Sequence, residues 1–286
     1  MKAIRRSVQN MEVFSVLAWA TSLLSGCATA PMTPGGSLSS YDDLTPSDGM
    51  LTKSRVHVNK DNVLAAKTIR IVPTTFAKTA SPTLSDNQRK LVANTVDRSL
   101  CIGLSDRFQV VASDTPADLT VHAMVTNAAT TNEIAAGASQ IAGAAPAAFG
   151  VRAIVPRIPI GLGSLTVEAE TRSREGKSQA SMIWARGADS FTSSPRVSSV
   201  GDAYDLATMF GNDFSQLLVT GSSPFGAMPS MPSLQKIGAS FGGKTKYAAC
   251  EAFGRGPGVT GMVAGRIGMP PEWTDDGAAP ANGRSN

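Results

Sequence analysis

A chain of 286 residues, 42% hydrophobic but 6% aromatic, can bury a core only by building it from small and aliphatic side chains. The formal net charge is +4, and part of it comes from Lys2, Arg5 and Arg6 in the first segment. No dense Lys/Arg run follows, so the charge excludes nucleic acid as a partner. His57 and His122 stand far apart, and no Cys-x-x-Cys is present. That pattern argues against a metal centre, and no cofactor is expected.

The first elements read as an address. Lys2, Arg5 and Arg6 form a positive n-region, and residues 13–24 form an apolar stretch. The stretch has the length of a secretory h-region and falls short of the ~20 residues that span a bilayer. It ends in Leu24-Ser25-Gly26-Cys27, which resembles the lipobox of bacterial lipoproteins. The resemblance implies removal of residues 1–26 as a signal peptide and attachment of lipid to the Cys27 thiol. Two or more acyl chains hold a protein stably on a membrane. Position 28 is Ala, not the Asp that retains lipoproteins in the inner membrane of enteric-type bacteria. The implied destination is the outer membrane of the cell envelope, facing the periplasm. An ordinary secretory signal with a chance cysteine is the alternative, and Arg5-Arg6 fits a twin-arginine signal poorly.

Residues 27–50 are rich in Pro, Gly, Ser and Thr and are expected to form a lipidated N-terminus and flexible tether. Within them lies Gly36-Ser37-Leu38-Ser39-Ser40-Tyr41-Asp42-Asp43-Leu44-Thr45-Pro46. This segment resembles the start of a family of bacterial lipoproteins known only as a domain of unknown function. Gly36, Leu38, Ser39, Tyr41, Leu44 and Pro46 fill the family pattern Gly-x-Leu-Ser-x-Tyr-x-x-Leu-x-Pro. The resemblance extends by order of elements to about residue 220. It implies a strand, a long helix, further strands and a closing helix, and it offers no known active site to transfer.

The periodicity of residues 51–220 agrees with that order. Residues 67–76 predict a strand with Ile69 and Ile71 on one side. Ser85 and Gln88 form a capping-box pattern ahead of Leu91, Val92, Thr95, Val96, Leu100 and Leu104 at helical spacing. A short strand is expected at 108–111. Another is expected at 117–126, with Leu119, Val121, Ala123 and Val125 inward. Residues 165–171 and 181–186 read as hairpin arms joined by a turn at 173–177. A second helix runs from about Asp202 to Leu218, with Leu206, Phe210, Phe214 and Leu217 on one face. The expected fold is α+β: a mostly antiparallel sheet of about five strands with two helices packed on one face.

Two regions fall outside this pattern. Residues 134–163 form an Ala/Gly-rich insertion, expected mainly as a surface loop. Its small residues also suit close helix packing, a dip into a membrane or an oligomer contact. Residues 221–286 read as a Gly/Pro-rich C-terminal extension.

Several local motifs bear on chemistry. Residues 238–245 spell the phosphate-loop pattern Gly-x4-Gly-Lys-Thr, but residues 233–237 make a poor buried strand before it. Gly238, Ser240 and Gly242 also match a nucleophile elbow, yet both histidines lie upstream of Ser240. Gly256, Gly258 and Gly261 fit Gly-x-Gly-x-x-Gly with no strand ahead of them. Glu168 and Glu170 share one strand face. They permit acid/base work, while alternation on an exposed face explains them more simply. His122 reads as a solvated histidine on a polar strand face.

Cys101 and Cys250 remain once Cys27 is lipidated. An even count in an oxidising compartment permits a disulfide between them, and a buried free thiol at Cys101 is equally natural. The function expected is non-enzymatic: a membrane-anchored envelope lipoprotein presenting a domain for protein partners or homo-oligomer assembly. An accessory subunit of an envelope transport or secretion assembly is the first alternative. A periplasmic hydrolase using Ser240 or the Glu168/Glu170 pair is the second.

Overall fold

The computed structural model describes residues 29–151, 155–226, 233–275 and 277–278, so the predicted signal peptide and Cys27 lie outside the described residues. The long strands follow the alternation in the sequence. In β6 (Leu119–Ala129), Leu119, Val121, Ala123 and Val125 are buried on the inner face. β7 (Ser164–Ser173) and β8 (Ser178–Gly187) form the hairpin, which turns at Gly176 with a φ of 80°. A positive φ there suits glycine, which has no Cβ to clash.

The remaining strands are β1 (Thr45–Pro46), β2 (Thr52–Val58), β3 (Thr68–Ile71), β4 (Thr75–Phe76) and β5 (Gln109–Val110). The sheet order is β1-β2-β8-β7-β6-β3-β5, and β4 also pairs with β6. The pairs β1–β2, β2–β8, β8–β7 and β7–β6 are antiparallel. The pairs β3–β5, β3–β6 and β4–β6 are parallel.

Among the described residues the fold is α+β with a mostly antiparallel sheet, and the expectation of about five strands is corrected to eight in a mixed sheet. Two strands were not evident in the sequence, and one predicted strand is interrupted. β2 turns Thr52, Ser54 and Val56 toward the core, so most of its buried side is polar and small and gives no hydrophobic alternation. The predicted strand at 67–76 breaks at Pro73, which has no N–H for a ladder. Next to it the Thr74 amide donates to the Asp97 carboxylate at 2.9 Å instead of to a strand.

The α-helices among the described residues are α1 (Lys60–Ala65), α2 (Asp86–Leu104), α3 (Glu133–Ala148), α4 (Gly201–Thr220), α5 (Leu234–Ser240) and α6 (Gly258–Arg266). Short 3-10 turns occupy Ala248–Phe253 and Pro271–Trp273. The capping box at Ser85 and Gln88 forms, and α4 ends on Gly221 in the left-handed region. α2 and α4 pack on each other and on the inner sheet face. They approach closely at Gly211, where a Cβ would run into Ser99, and at Gly103, where one would run into Ser215. Trp184, Phe210 and Phe214 centre the core; Trp184 meets Phe210 edge-on at 5.8 Å.

Two segments expected to be irregular are held in place. The insertion forms α3, started by the Asn132 side chain, which accepts from the Ala135 amide at 2.9 Å. Its return leg is fastened by Arg157, whose guanidinium grips Asp202 of α4 at 2.5 and 3.0 Å. The described part of the C-terminal extension lies over α2. Asn94 donates to the Phe253 carbonyl, Lys246 donates to the Ser105 carbonyl, and Arg98 pairs with buried Asp275. Cys101 and Cys250 are joined as a disulfide with their Cα atoms 5.7 Å apart. None of the helices among the described residues is long and apolar enough to cross a membrane.

Candidate functional site

The sheet face opposite α2 and α4 carries an organised polar cluster. Glu168 and Glu170 project from β7 on this face, two residues apart, as strand geometry requires. Read from the sequence, alternation suggested two solvated carboxylates. They are instead 0% and 1% exposed, because residues 35–41 lie across them. Buried carboxylates demand donors, and this strap supplies them.

Glu168 accepts from the Gly35 amide at 2.5 Å, the Ser37 amide at 3.1 Å and the Ser37 hydroxyl at 2.5 Å. The Tyr41 hydroxyl donates to the same carboxylate at 2.8 Å. That hydroxyl also accepts from the Gly36 amide at 2.8 Å, closing the strap on itself. Glu170 accepts from the Ser39 amide and hydroxyl and from the Arg172 guanidinium at 2.7 Å. Leu38 is buried between the two serine contacts in sequence. At Gly35 a Cβ would collide with Thr126 of β6, so the strap passes close to the sheet there.

The electrostatics follow the contacts. Burial pushes the Tyr41 hydroxyl above its ordinary pKa, and its bond to Glu168 adds to the shift. Burial pushes Glu170 up, but hydrogen bonds from Ser178, Arg172 and Ser39 outweigh it and hold the carboxyl below the usual range. A carboxylate pair held by this many fixed donors is a clasp.

Four of the family-pattern residues thus converge on one task. Gly36, Ser39 and Tyr41 are strap contacts, and Leu38 is its buried anchor. Thr45 and Pro46 follow as β1 on the edge of the sheet. Residues 35–49, read from composition as part of a flexible tether, are therefore hydrogen-bonded structure. Composition reports the absence of periodicity, and a strap held by single side chains has none.

Beside the strap, Arg70, Arg172, Arg174 and His122 line a groove of about 470 Å³. Arg172 is paired with Glu170, and Arg174 with Asp118 at 2.9 Å. Burial lowers the His122 pKa, and Arg172 lowers it further.

Among the described residues the other sequence motifs lie at helix ends and turns. Gly238–Ser240 lies at the C-terminal end of α5, where a phosphate loop would need to open a helix. Its amides are engaged in ending that helix: Gly242 N–H donates to the Ala239 carbonyl and Gly243 N–H to the Gly238 carbonyl. Ser240 sits in the helical layer with Pro257 and Gly261, whereas His122 lies on the strap face of the sheet. Gly258 opens α6 without a strand ahead of it. Among the described residues no cluster of His, Cys, Asp or Glu has the makings of a metal site.

Asp97 escaped the sequence reading. It lies in α2 under Thr74, whose amide and hydroxyl donate to it, and burial raises its pKa to about 7. It borders a cavity of about 590 Å³ that Lys90, Asn94 and Glu272 also line. An Asp within a helical run looks like a surface residue, so sequence alone offered no signal.

An α+β domain that clasps its own N-terminal segment to the open face of its sheet is the class of protein this geometry defines. Residues 33–214 match the family model described as "Protein of unknown function (DUF3313)", and the chain belongs to that family. No curated protein matches the chain. Solved structures with some likeness include a PelC dodecamer from Paraburkholderia phytofirmans. It is 10% identical, with 59% of this chain and 99% of that one covered and a TM-score of 0.36. A DUF330 protein from Xanthomonas campestris is 10% identical over 55% of this chain and 85% of that one, with a TM-score of 0.31. A DUF4136 family protein from Bacteroides thetaiotaomicron is 11% identical over 62% and 100%, with a TM-score of 0.29. Likenesses this distant say nothing of what the chain does.

Proposed function

We propose that this chain is a non-enzymatic lipoprotein of the bacterial envelope. Lipid on Cys27 holds it to the outer membrane, and its periplasmic domain works by contact with protein partners or with further copies of itself. Service as an accessory subunit of an envelope transport or secretion assembly is one form of this role.

The observation that carries the reading is the strap. The lipobox-like segment ends at Cys27, and Pro31 already accepts a hydrogen bond from the Thr166 hydroxyl at 2.8 Å. Four more residues along, Gly35 reaches Glu168. A chain tethered only for address has no need of a buried clasp so close to its attachment point. A domain that must be held at fixed height and orientation on a membrane does, because partners there meet it from a restricted direction. The same clasp engages Glu168 and Glu170, the carboxylates that a hydrolase built on that pair, and not on Ser240, would need free.

The test is the mass of the native complex, after mild crosslinking in cells and extraction in detergent, beside a Cys27→Ala control. A discrete homo-oligomer or a stoichiometric envelope partner is expected. A clean monomer with no partner would overturn the assembly reading. A Cys27 that carries no acyl chains when the native protein is measured by mass would overturn the anchor.

A further inference from the structure

Helix α3 is turned the opposite way from most surface helices. Its inner side carries Ala136 and Ser139, both buried. Its outer side carries Ile134, 85% exposed, and Ile141, 75% exposed, and leads on to Phe149, 84% exposed just past its end. Ala138, Ala145 and Ala148 fill the same exposed side. The helix has one charged residue, Glu133 in its first turn. A helix that shows its apolar stripe to the outside is covered by something other than its own fold.

The apolar surface continues beyond the helix. Ile141, Val155, Phe191 and Ile267 line a groove of about 650 Å³ between α3, the segment 190–195 and the end of α6. No carboxylate is among its described lining residues. Arg157 in its wall is paired with Asp202, while Arg266 at its edge is exposed.

The path of the chain says what covers this surface. Pro31 is bonded to Thr166, two residues into β7 from Ser164. Ser164 is the register partner of Ala129, the last residue of β6, and α3 starts at Glu133 just beyond. The strap therefore enters at the end of the sheet from which α3 leaves. Four residues separate Cys27 from Pro31, a span of at most ~14 Å when fully extended. Lipid on Cys27 holds this end of the domain against the bilayer.

We propose that the exposed side of α3, with Phe149, Phe191 and Ile267, rests on the lipid surface to which Cys27 is anchored. The apolar side chains enter the boundary between headgroups and acyl chains, and Arg266 faces anionic headgroups. This placement rests on the anchor reading above. It gives the domain two attachments, one covalent and one through α3, and so a single orientation on the membrane.

The test uses the full chain, purified in detergent with acylation of Cys27 checked by mass, then reconstituted in phosphatidylethanolamine/phosphatidylglycerol vesicles. Phe149→Trp places a fluorophore just past α3 and Lys177→Trp places one at the β7–β8 hairpin turn, and brominated phospholipid is the quencher. Loss of the added emission in Phe149→Trp, with none in Lys177→Trp, is expected. In acyl-free Cys27→Ala protein, Ile141→Glu is expected to weaken binding to the same vesicles more than about tenfold. Acylated protein without quenching at Phe149→Trp overturns the placement alone. Crosslinking of that position to a second copy overturns it in favour of a protein contact. An unacylated Cys27 overturns the anchor and the placement together.

Discussion

Replacing Glu168 by Gln tests whether the strap is held by charge. The change keeps the shape of the side chain but replaces one acceptor oxygen by an NH₂ group. Glu168 Oε1 faces the Gly35 amide, and Oε2 faces the Ser37 amide, the Ser37 hydroxyl and the Tyr41 hydroxyl. The least damaging arrangement puts the new NH₂ against Gly35, so a donor meets a donor at 2.5 Å spacing. The three remaining donors lose a charged acceptor. A hydrogen bond to a charged group contributes about 1.5–3 kcal/mol, so losing one and weakening the others costs at least about 2 kcal/mol. The strap lies on the surface, so it can lift away and let water satisfy its donors. The loss therefore appears as local opening before global unfolding. Amide hydrogen exchange across residues 33–41 is the assay, and about a thirtyfold rise in exchange is expected at Gly35, Ser37 and Ser39. Glu175→Gln, at the exposed hairpin turn, leaves that exchange unchanged. Strap amides that exchange at the parent rate in Glu168→Gln would refute the clasp.

Other perturbations test the rest of the architecture. The disulfide closes a sequence separation of 149 residues. Cys101→Ala with Cys250→Ala is expected to lower stability to denaturant by about 2–5 kcal/mol, and a reductant should do the same to the parent protein. Arg157→Met leaves Asp202 buried beside Thr131 and Gly163 without its cation, at an expected cost of about 3–5 kcal/mol in urea unfolding. An unchanged midpoint there would mean the pair contributes no net stability. Burial raises the folded pKa of Asp97 to about 7, against the ordinary carboxyl value of 3.8. Between those values the unfolded chain releases a proton that the folded one keeps, so stability falls as pH rises through that window and levels off above it. The full effect is at most on the order of 4 kcal/mol, and Asp97→Asn should abolish it and stabilise the protein at pH 8. Thermal unfolding from pH 4 to 8 measures both proteins, and parallel curves would contradict the buried protonated carboxyl.

What the sequence by itself determined is what depends on neighbours along the chain. The Ser85/Gln88 capping box, the apolar stripe from Leu91 to Leu104 and the alternation of Leu119, Val121, Ala123 and Val125 are local patterns of period 3.6 or 2. They marked α2, β6 and, with the hairpin and α4, the inner core. The likeness of residues 36–46 to a lipoprotein family was legible too, as a pattern without a physical role.

Only the tertiary structure decided that role, since Gly35, Ser37, Ser39 and Tyr41 meet Glu168 and Glu170 across a separation of about 130 residues. The mixed character of the sheet was hidden for a similar reason. Parallel pairing of β3 and β4 with β6 is set by the crossover through α2, and β2 turns small polar side chains inward. Cys101 and Cys250 could be counted in the sequence, but their pairing depends on the C-terminal segment folding back over α2. The outward turn of α3 was hidden as well. Alanine-rich sequence is apolar all round, and which side is buried depends on what the rest of the fold places against it.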